Sequence, residues 1–244
     1  MTNTNLPIGW LTEAELVLHR IRSVHRERVE TIREDKSHVR LEDPTRLIVH
    51  VVPEAAFLAS KEFSAADLKR ASQAIRPLGE RNGNGYGYSR FNADGFLMYD
   101  GYKAVREYTQ LYRNGMFEGV MAEAVFQHQE RAKILRENWC EAALISALTG
   151  FLPFAKTLAL EPPFWMFAAL AGCEGARICI NRSWEQLSEQ AIDRSLVWLP
   201  ETKIESGEND PAKLLRPVCD VLWNAAGLEK SFYYDEQGNR KTGR

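Results

Sequence analysis

The spacing of apolar residues changes several times along the chain, and each change predicts a different element. From Thr12 to Glu34 apolar residues recur at helical spacing, which is typical of an amphipathic helix. Glu15 lies three residues after Thr12, and this spacing predicts a capping box at the start of the helix. The run Arg46–Val52 is rich in β-branched residues and is stopped by Pro53, so it predicts a buried strand.

Two glycine turns in the middle of the chain predict β-hairpins. Asp94-Gly95 and Asn114-Gly115 each separate stretches rich in aromatic and apolar residues. Such dipeptides supply the positive φ angles of two-residue hairpin loops. At the second turn a two-residue loop pairs Tyr112 with Phe117. Because side chains two apart share a face, we expect one face to carry Tyr108, Tyr112, Phe117 and Met121, and the other to carry Thr109, Leu111, Glu118 and Val120.

Three more helices follow from capping residues and helical spacing. Ser64 caps a short helix that extends to about Ile75. Residues 129–149 have helical character until Gly150 and Pro153 end or kink the helix. Asp210 is followed by a proline at the first helical position and begins a helix that runs to 226, which Pro217 either restarts or kinks.

Apolar runs predict further strands. Phe164–Leu170 is compatible with either a buried strand or a short core helix. Ala176–Ile180 and Ser195–Leu199 are predicted strands, and Arg81–Tyr88 is a glycine-rich loop that enters a strand. Together the elements predict an α+β fold, with an antiparallel or mixed sheet built around a β-meander and flanked by about three main helices. We expect an N-terminal helix or connector (1–36), a single α+β domain (37–234) and a disordered tail (235–244).

Composition argues against some classes of function but identifies none. The formal net charge of -2 supplies no general attraction to nucleic acid or acidic membranes. The most apolar run, Phe164–Gly172, is far shorter than the roughly 20 residues that span a bilayer. The four cysteines form no Cys-x-x-Cys pair, so we expect buried, reduced thiols and no zinc. These features predict a cytoplasmic protein without membrane contact.

Arginines on the first helix are the main candidate binding residues. In one interpretation they form a stripe that faces phosphate groups or a protein partner. In the other, which we favour for this mixed-sign run, they belong to a solvated face with neighbouring glutamates. The candidate set is Arg20, Arg22, Arg26, Arg28 and Arg33, together with Arg90 and Arg113.

Recognisable catalytic chemistry is missing from the sequence. It contains no Walker loop, no zinc-protease helix motif and no serine nucleophile elbow. His50 lies inside an apolar strand, where a hydrogen-bonded core histidine is more common than a catalytic one. We therefore assign no catalytic residue, no metal and no cofactor.

Several collinear segments resemble a known family. They are Arg46–Pro53, Arg90–Gly95, Tyr108–Gly115, Glu161–Pro163, Leu215–Pro217 and Trp223–Gly227. In this order they resemble the C-terminal region of bacterial proteins whose N-terminal part is a Schlafen/AlbA-type domain, to which DNA and ATP binding are attributed. The resemblance covers roughly residues 18–239 and excludes that N-terminal domain, so its DNA and nucleotide binding do not carry over.

The resemblance implies a non-catalytic accessory, sensor or regulatory domain tied to a nucleic-acid-handling or defence-type system. It implies a protein partner or self-association through the N-terminal helix, which follows the missing domain in that family. One alternative is direct nucleic-acid binding by the basic helix, and a second is an enzyme with an unrecognised site.

Overall fold

The computed structural model describes residues 12–58, 61–79, 87–101, 105–128, 132–180, 186–207 and 210–241. The helices in these ranges are α1 (Glu13–Arg33), α2 (Ala55–Leu58), α3 (Ala65–Ala71), α4 (Glu137–Thr157), α5 (Pro211–Leu214) and α6 (Arg216–Asn224), and a 3₁₀ turn (Ser72–Ala74) follows α3. The strands are β1 (Arg46–Pro53), β2 (Gly87–Asn92), β3 (Gly95–Asp100), β4 (Glu107–Tyr112), β5 (Phe117–Ala122), β6 (Val125–His128), β7 (Ala132–Leu135), β8 (Phe164–Ala171), β9 (Ala176–Arg177), β10 (Leu196–Trp198) and β11 (Thr202–Ile204).

Both ends of helix α1 are fixed by side chains. At its start the Thr12 hydroxyl accepts the Glu15 backbone N–H, and the Glu15 carboxylate accepts the Thr12 N–H at 2.7 Å, which confirms the predicted capping box. Beyond its end the buried Arg46 of β1 donates to the Ile32 carbonyl and forms an ion pair with Asp35. The helix is therefore tied at its carboxyl end to the first strand.

The main sheet has the strand order β10-β8-β1-β5-β4-β3-β2, and β11 also pairs with β8. All of these pairings are antiparallel, and β2 to β5 form the predicted meander. A smaller sheet contains β6, β7 and β9, with β7 and β9 parallel. The fold is α+β, as the sequence predicts.

Helices cover both faces of the main sheet, so all eight residues of β1 are buried. Leu47, Val49 and Val51 contribute to the large core that also contains buried residues of α3, α4 and α6. Ile48 and Val52 pack among buried residues of α1 on the other face. This layering explains why β1 is an unbroken apolar run, and why His50 within it has no access to solvent.

The start of the helix predicted at residues 129–149 is wrong, and its first three residues lie outside the described part of the chain. Ala132–Leu135 pairs with β6 as a strand, and helix α4 begins at Glu137. The helix then passes through Gly150 and Pro153 and ends at Thr157. Pro153 removes one backbone hydrogen bond, but the fully buried Phe151 and Phe154 on either side of it hold the helix against the core.

The predicted register of the second hairpin is wrong by one residue. The loop has three residues, because Leu111 pairs with Phe117 and the Tyr112 N–H donates to the Met116 carbonyl at 2.9 Å. Gly115 has φ 86°, which suits the last position of a three-residue loop. At the first hairpin Asn92 pairs with Gly95, so the two loop residues are 93 and 94 rather than 94 and 95.

A one-residue shift exchanges the two faces of a strand relative to its partner. Tyr108 is opposite Val120, and Gln110 is opposite Glu118. Glu118 therefore lies on the same face as the two tyrosines of β4, Tyr108 and Tyr112, whereas the sequence predicts the opposite face.

Several smaller predictions can be compared with the structure. Ser64 caps α3, residues 164–171 form a strand, and Gly227 has positive φ. The strand predicted at Ala176–Ile180 is limited to its first two residues. The first part of the predicted loop at 81–88 lies outside the described residues, and β2 begins at Gly87.

Of the tail predicted at residues 235–244, residues 235–241 are described, and they contact the rest of the domain. Tyr234 forms a bridge with Arg240 across a turn, and the Arg240 guanidinium reaches the Glu141 carboxylate of α4 at 3.1 Å. This ion pair ties the end of the chain to the core helix. Over the ranges that the structure describes, no helix combines the length and apolar character needed to cross a membrane.

Candidate functional site

A polar cluster lies between helix α1 and the sheet, within an otherwise apolar layer. Its centre is Glu118 of β5, which has no solvent exposure. Cross-strand pairing places Gln110 on one side of Glu118 and His50 on the other. Helix α1 adds Arg28, which contacts Glu118, and His25, which contacts His50, so residues distant in sequence meet in one cluster.

The Glu118 carboxylate accepts hydrogen bonds from four side chains. Arg28 donates through Nε at 2.7 Å and through its terminal nitrogen at 2.9 Å, a two-point contact that suits a carboxylate. The hydroxyls of Tyr108 and Tyr112 donate at 2.8 and 3.1 Å, and His50 Nε2 lies 3.0 Å away. The buried negative charge is thus balanced by one guanidinium and further stabilised by three neutral or titratable donors.

Two imidazoles meet at the helix–sheet interface. The Nδ1 atoms of His25 and His50 are 2.7 Å apart. At this distance one nitrogen donates and the other accepts, so a single proton lies between the rings and the two histidines cannot both be fully protonated. Phe167 stacks on the His25 ring and Trp198 meets it edge-on, which leaves His25 only 5% exposed.

A third histidine connects the cluster to the surface. His38 Nε2 lies 2.9 Å from the Tyr112 hydroxyl and 3.7 Å from the Glu118 carboxylate. Its other ring nitrogen is 3.8 Å from the exposed carboxylate of Asp94. The polar contacts therefore extend from Asp94 at the hairpin loop to His25 beneath helix α1.

Burial and neighbouring charges shift the pKa values of the groups in this cluster. Burial, then the nearby His50 and Arg26, lowers the pKa of His25 from 6.5 to about 2. Burial acts to raise the pKa of Glu118, but the hydrogen bonds and charges of His50 and Arg28 outweigh it and hold that pKa well below 4.5. Burial also lowers the pKa of His38 and raises that of Tyr108. The cluster is thus arranged to hold Glu118 ionised and His25 neutral.

This arrangement fixes structure more readily than it performs acid–base chemistry. A general base needs a pKa near the working pH, whereas the pKa values of both Glu118 and His25 are displaced far below neutrality. The donors around Glu118 also occupy its oxygens. The chemical consequence is a strong, specific attachment of α1 to β1, β4 and β5.

Only one of the predicted binding residues belongs to this cluster. Arg28 is half-buried and bound to Glu118. Arg22 is bound to Glu201 and Arg33 to Glu30. Arg20 and Arg26 are exposed and, within the described part of the chain, form no ion pair.

The two predicted arginines outside α1 bind backbone carbonyls. Arg90 donates to the carbonyl of His38, and Arg113 donates to the carbonyl of Ala93. Along α1 itself, Ile21 and Ile32 are fully buried, whereas Leu18 and Val24 are half-buried. The predicted residues therefore do not converge on one basic surface.

Sequence reasoning missed Glu118, His25, Tyr108 and Tyr112. Two features of the sequence could have identified the site: a lone carboxylate in an apolar strand and a histidine in the buried stripe of α1. The incorrect hairpin register separated Glu118 from the tyrosines. His50 is the hydrogen-bonded core histidine that the sequence favours.

Two other sets of potentially reactive groups are also internal. Glu141 of α4 accepts hydrogen bonds from Trp223 and Ser231, and burial raises its pKa. The four cysteines are buried, as predicted, and none of them is paired in a disulfide. Burial raises the pKa of both Cys173 and Cys179 to about 11, which keeps these thiols protonated at neutral pH. Among the described residues, no group of three or more His, Cys, Asp or Glu is arranged to hold a metal ion.

Comparison with known proteins adds no relative: no family model, no curated protein and no solved structure matches this chain. The resemblance to the region that follows Schlafen/AlbA-type domains therefore stays a prediction from the sequence.

Proposed function

We propose that this chain is a non-catalytic accessory or regulatory binding domain that acts with a protein partner. The observation that carries this proposal is the saturation of Glu118 by Arg28, His50 and two tyrosines. Groups that would be reactive in an open site are used here to hold α1 on the sheet. The link to a cytoplasmic nucleic-acid-handling or defence-type system rests on the sequence resemblance alone.

The exposed side of α1 is the contact surface that we propose for the partner or for a second copy. It carries Arg20 and Arg26, which are exposed, and the margin of its apolar stripe includes the half-buried Leu18 and Val24. Ile21 is excluded from this surface because it has no solvent exposure. A partner would therefore contact the two margins of the apolar stripe, at Leu18 and Val24, and two arginines that form no ion pair among the described residues.

Direct nucleic-acid binding is the second candidate, and the same two arginines favour it. Its weakness is that Arg22, Arg28 and Arg33 are already bound to carboxylates. A protein that binds phosphates with several free cations shows an affinity that falls steeply with salt. Two arginines without an ion pair in the described ranges, and a net charge of -2, predict little of this behaviour.

Binding to duplex DNA and to single-stranded RNA, measured by fluorescence anisotropy between about 50 and 200 mM salt, separates the two candidates. We expect the parent chain to show no salt-sensitive binding. Tight parental binding that is lost in an Arg20→Glu, Arg26→Glu double variant would overturn the accessory-domain proposal. The matched control is Arg70→Glu with Arg194→Glu, which changes the net charge equally at exposed positions outside α1.

A further inference from the structure

Strand β2 is an exposed edge of the main sheet. It pairs with β3 on one side, and among the described residues no strand pairs with its outer side. Its first five residues are exposed, including Tyr88 and the 54% exposed Phe91. An unpaired edge of this kind presents backbone N–H and C=O groups that can pair with another extended chain.

The opposite edge of the sheet differs from β2. There β8 is covered by β10 and β11, which are only three residues long, and short edge strands are a common protection against unwanted pairing. Strand β2 has six residues and one charged side chain, Arg90, whose guanidinium is turned to the His38 carbonyl. Within the described ranges, the edge at β2 therefore lacks the usual protection.

A cleft of about 400 Å³ lies beside this edge, on the face opposite α1. Its apolar lining includes Ile75, Phe96 and Met98. The two charged residues in its lining, Lys69 and Arg76, are both positive, and no carboxylate belongs to the described lining. Because side chains alternate along an extended chain, a strand added to β2 would direct every second side chain toward this cleft.

We propose that the outer edge of β2 and the adjoining cleft bind an extended, acidic peptide segment of a partner protein. The peptide adds to the sheet as a further antiparallel or parallel strand, and its backbone supplies hydrogen bonds while alternate side chains enter the cleft. Lys69 lies over the Phe91 ring, and Arg76 donates to the backbone carbonyls of Gln73 and Ile75. Neither forms an ion pair within the described part of the chain, so their positive charges select acidic side chains. This inference deepens the proposed binding function by naming a partner class, but it uses a surface separate from α1.

The test uses a labelled peptide of about eight residues that alternates Glu and Val, a length that matches ordinary strands. Anisotropy at about 150 mM salt limits long-range charge effects. One comparison peptide carries Lys in place of Glu, and another carries an N-methyl group on every backbone nitrogen, so that neither of its edges can donate a hydrogen bond to β2. We expect the Glu peptide to bind about tenfold more tightly than either comparison peptide, a difference of about 1.4 kcal/mol.

The protein variant is Lys69→Glu, with Arg70→Glu as its matched control. Both side chains are exposed and adjacent on α3, but only Lys69 lines the cleft. We expect Lys69→Glu to weaken binding of the Glu peptide about tenfold, and Arg70→Glu to leave it close to parental. Slower amide exchange at Gly87–Asn92 on peptide addition would locate the new strand.

Equal binding of the N-methylated peptide would overturn strand addition, and equal binding of the Lys peptide would overturn the charge preference. Absence of binding, or concentration-dependent dimers that protect the same amides without peptide, would also overturn the proposal, the latter by identifying a second copy as the occupant. None of these results changes the nucleic-acid measurement on α1, so the two proposals can fail separately.

Discussion

At the scale of single residues, the Glu118 carboxylate organises the helix–sheet interface. It has no solvent exposure and depends on Arg28 for charge balance. His25 adds the opposite requirement, because its imidazole must remain neutral among Phe167, Trp198 and His50. Both requirements fail in acid, when the carboxylate and the imidazole gain protons.

Replacing Glu118 by Gln should destabilise the chain. The amide removes the negative charge and leaves the half-buried Arg28 without its partner, which for buried pairs costs about 3 kcal/mol. Urea unfolding followed by circular dichroism measures the change. The control Glu30→Gln disrupts an exposed pair on the same helix and should cost less than about 1 kcal/mol. Equal stability of Glu118→Gln and the parent would mean that the cluster does not anchor α1.

The free energy of unfolding should fall as the pH drops below 6.5. The pKa of His25 is about 2 in the folded chain against 6.5 ordinarily, so in between the unfolded chain binds one more proton at this site. Each such proton lowers the free energy of unfolding by about 1.4 kcal/mol per pH unit. Because the pKa of Glu118 is also lowered, the decline should steepen below 4.5.

Replacing His25 by Phe tests this origin of the pH dependence. Between about pH 6 and pH 5, the free energy of unfolding of the variant should depend on pH less steeply than that of the parent. The difference should correspond to about one proton, because Phe does not titrate. Denaturant titrations across that range give the slope directly. The exposed His19 lies on the same helix, and the control His19→Phe should keep the parental slope. A His25→Phe chain with an unchanged slope would place the titrating group elsewhere.

At the scale of elements, capping residues and apolar spacing predicted helix α1 and strand β1 almost to the residue, because their local signals agree with their packing. The second hairpin was misread because Asn-Gly occurs in both two-residue and three-residue loops. That one-residue error displaced Glu118 from its tyrosines. Local pattern alone does not fix register, and the candidate site depends on register.

Replacing Gly115 by Val should destabilise the second hairpin by about 2 kcal/mol, since a β-branched residue is strained at positive φ. Gly115 has φ 86°, and a Cβ there would lie 2.8 Å from Leu160 Cδ1. Thermal unfolding measures the loss. The control Gly207→Val meets no atom within 4 Å and should stay within about 0.5 kcal/mol of the parent. A Gly115→Val chain that melts with the parent would show that the turn tolerates a side chain.

At the scale of the whole molecule, the sheet separates two layers that the sequence did not distinguish. One is the apolar core with α4, and the other is the α1 layer that contains the Glu118 cluster. The sequence predicted the meander and the flanking helices, but it placed the start of α4 too early. That error involves the long-range pairing of β7 with β6, which no local pattern reports. The pairing of Arg240 with Glu141 is equally long-range and equally invisible to local pattern.

The pairing of Arg240 with Glu141 makes the end of the chain part of the core, and Arg240→Met should therefore be destabilising. The loss should be about 2 kcal/mol near pH 8, because the buried Glu141 carboxylate loses a charged hydrogen-bond donor. Burial already raises the pKa of Glu141, so the folded chain holds this proton more tightly than the unfolded chain, and stability falls as the pH rises through that pKa. Removing Arg240 raises the pKa further.

The deficit of Arg240→Met should therefore shrink from about pH 8 to about pH 5, where Glu141 can protonate instead of remaining an unbalanced charge. Urea unfolding at both pH values measures it. The control is Lys241→Met, which removes the same charge from an exposed neighbour whose ammonium donates to the Phe232 carbonyl rather than to Glu141. If Arg240→Met and Lys241→Met prove equally stable at both pH values, Arg240 does not stabilise the core. The hydrogen bonds from Trp223 and Ser231 would then be sufficient to stabilise the buried Glu141 carboxylate.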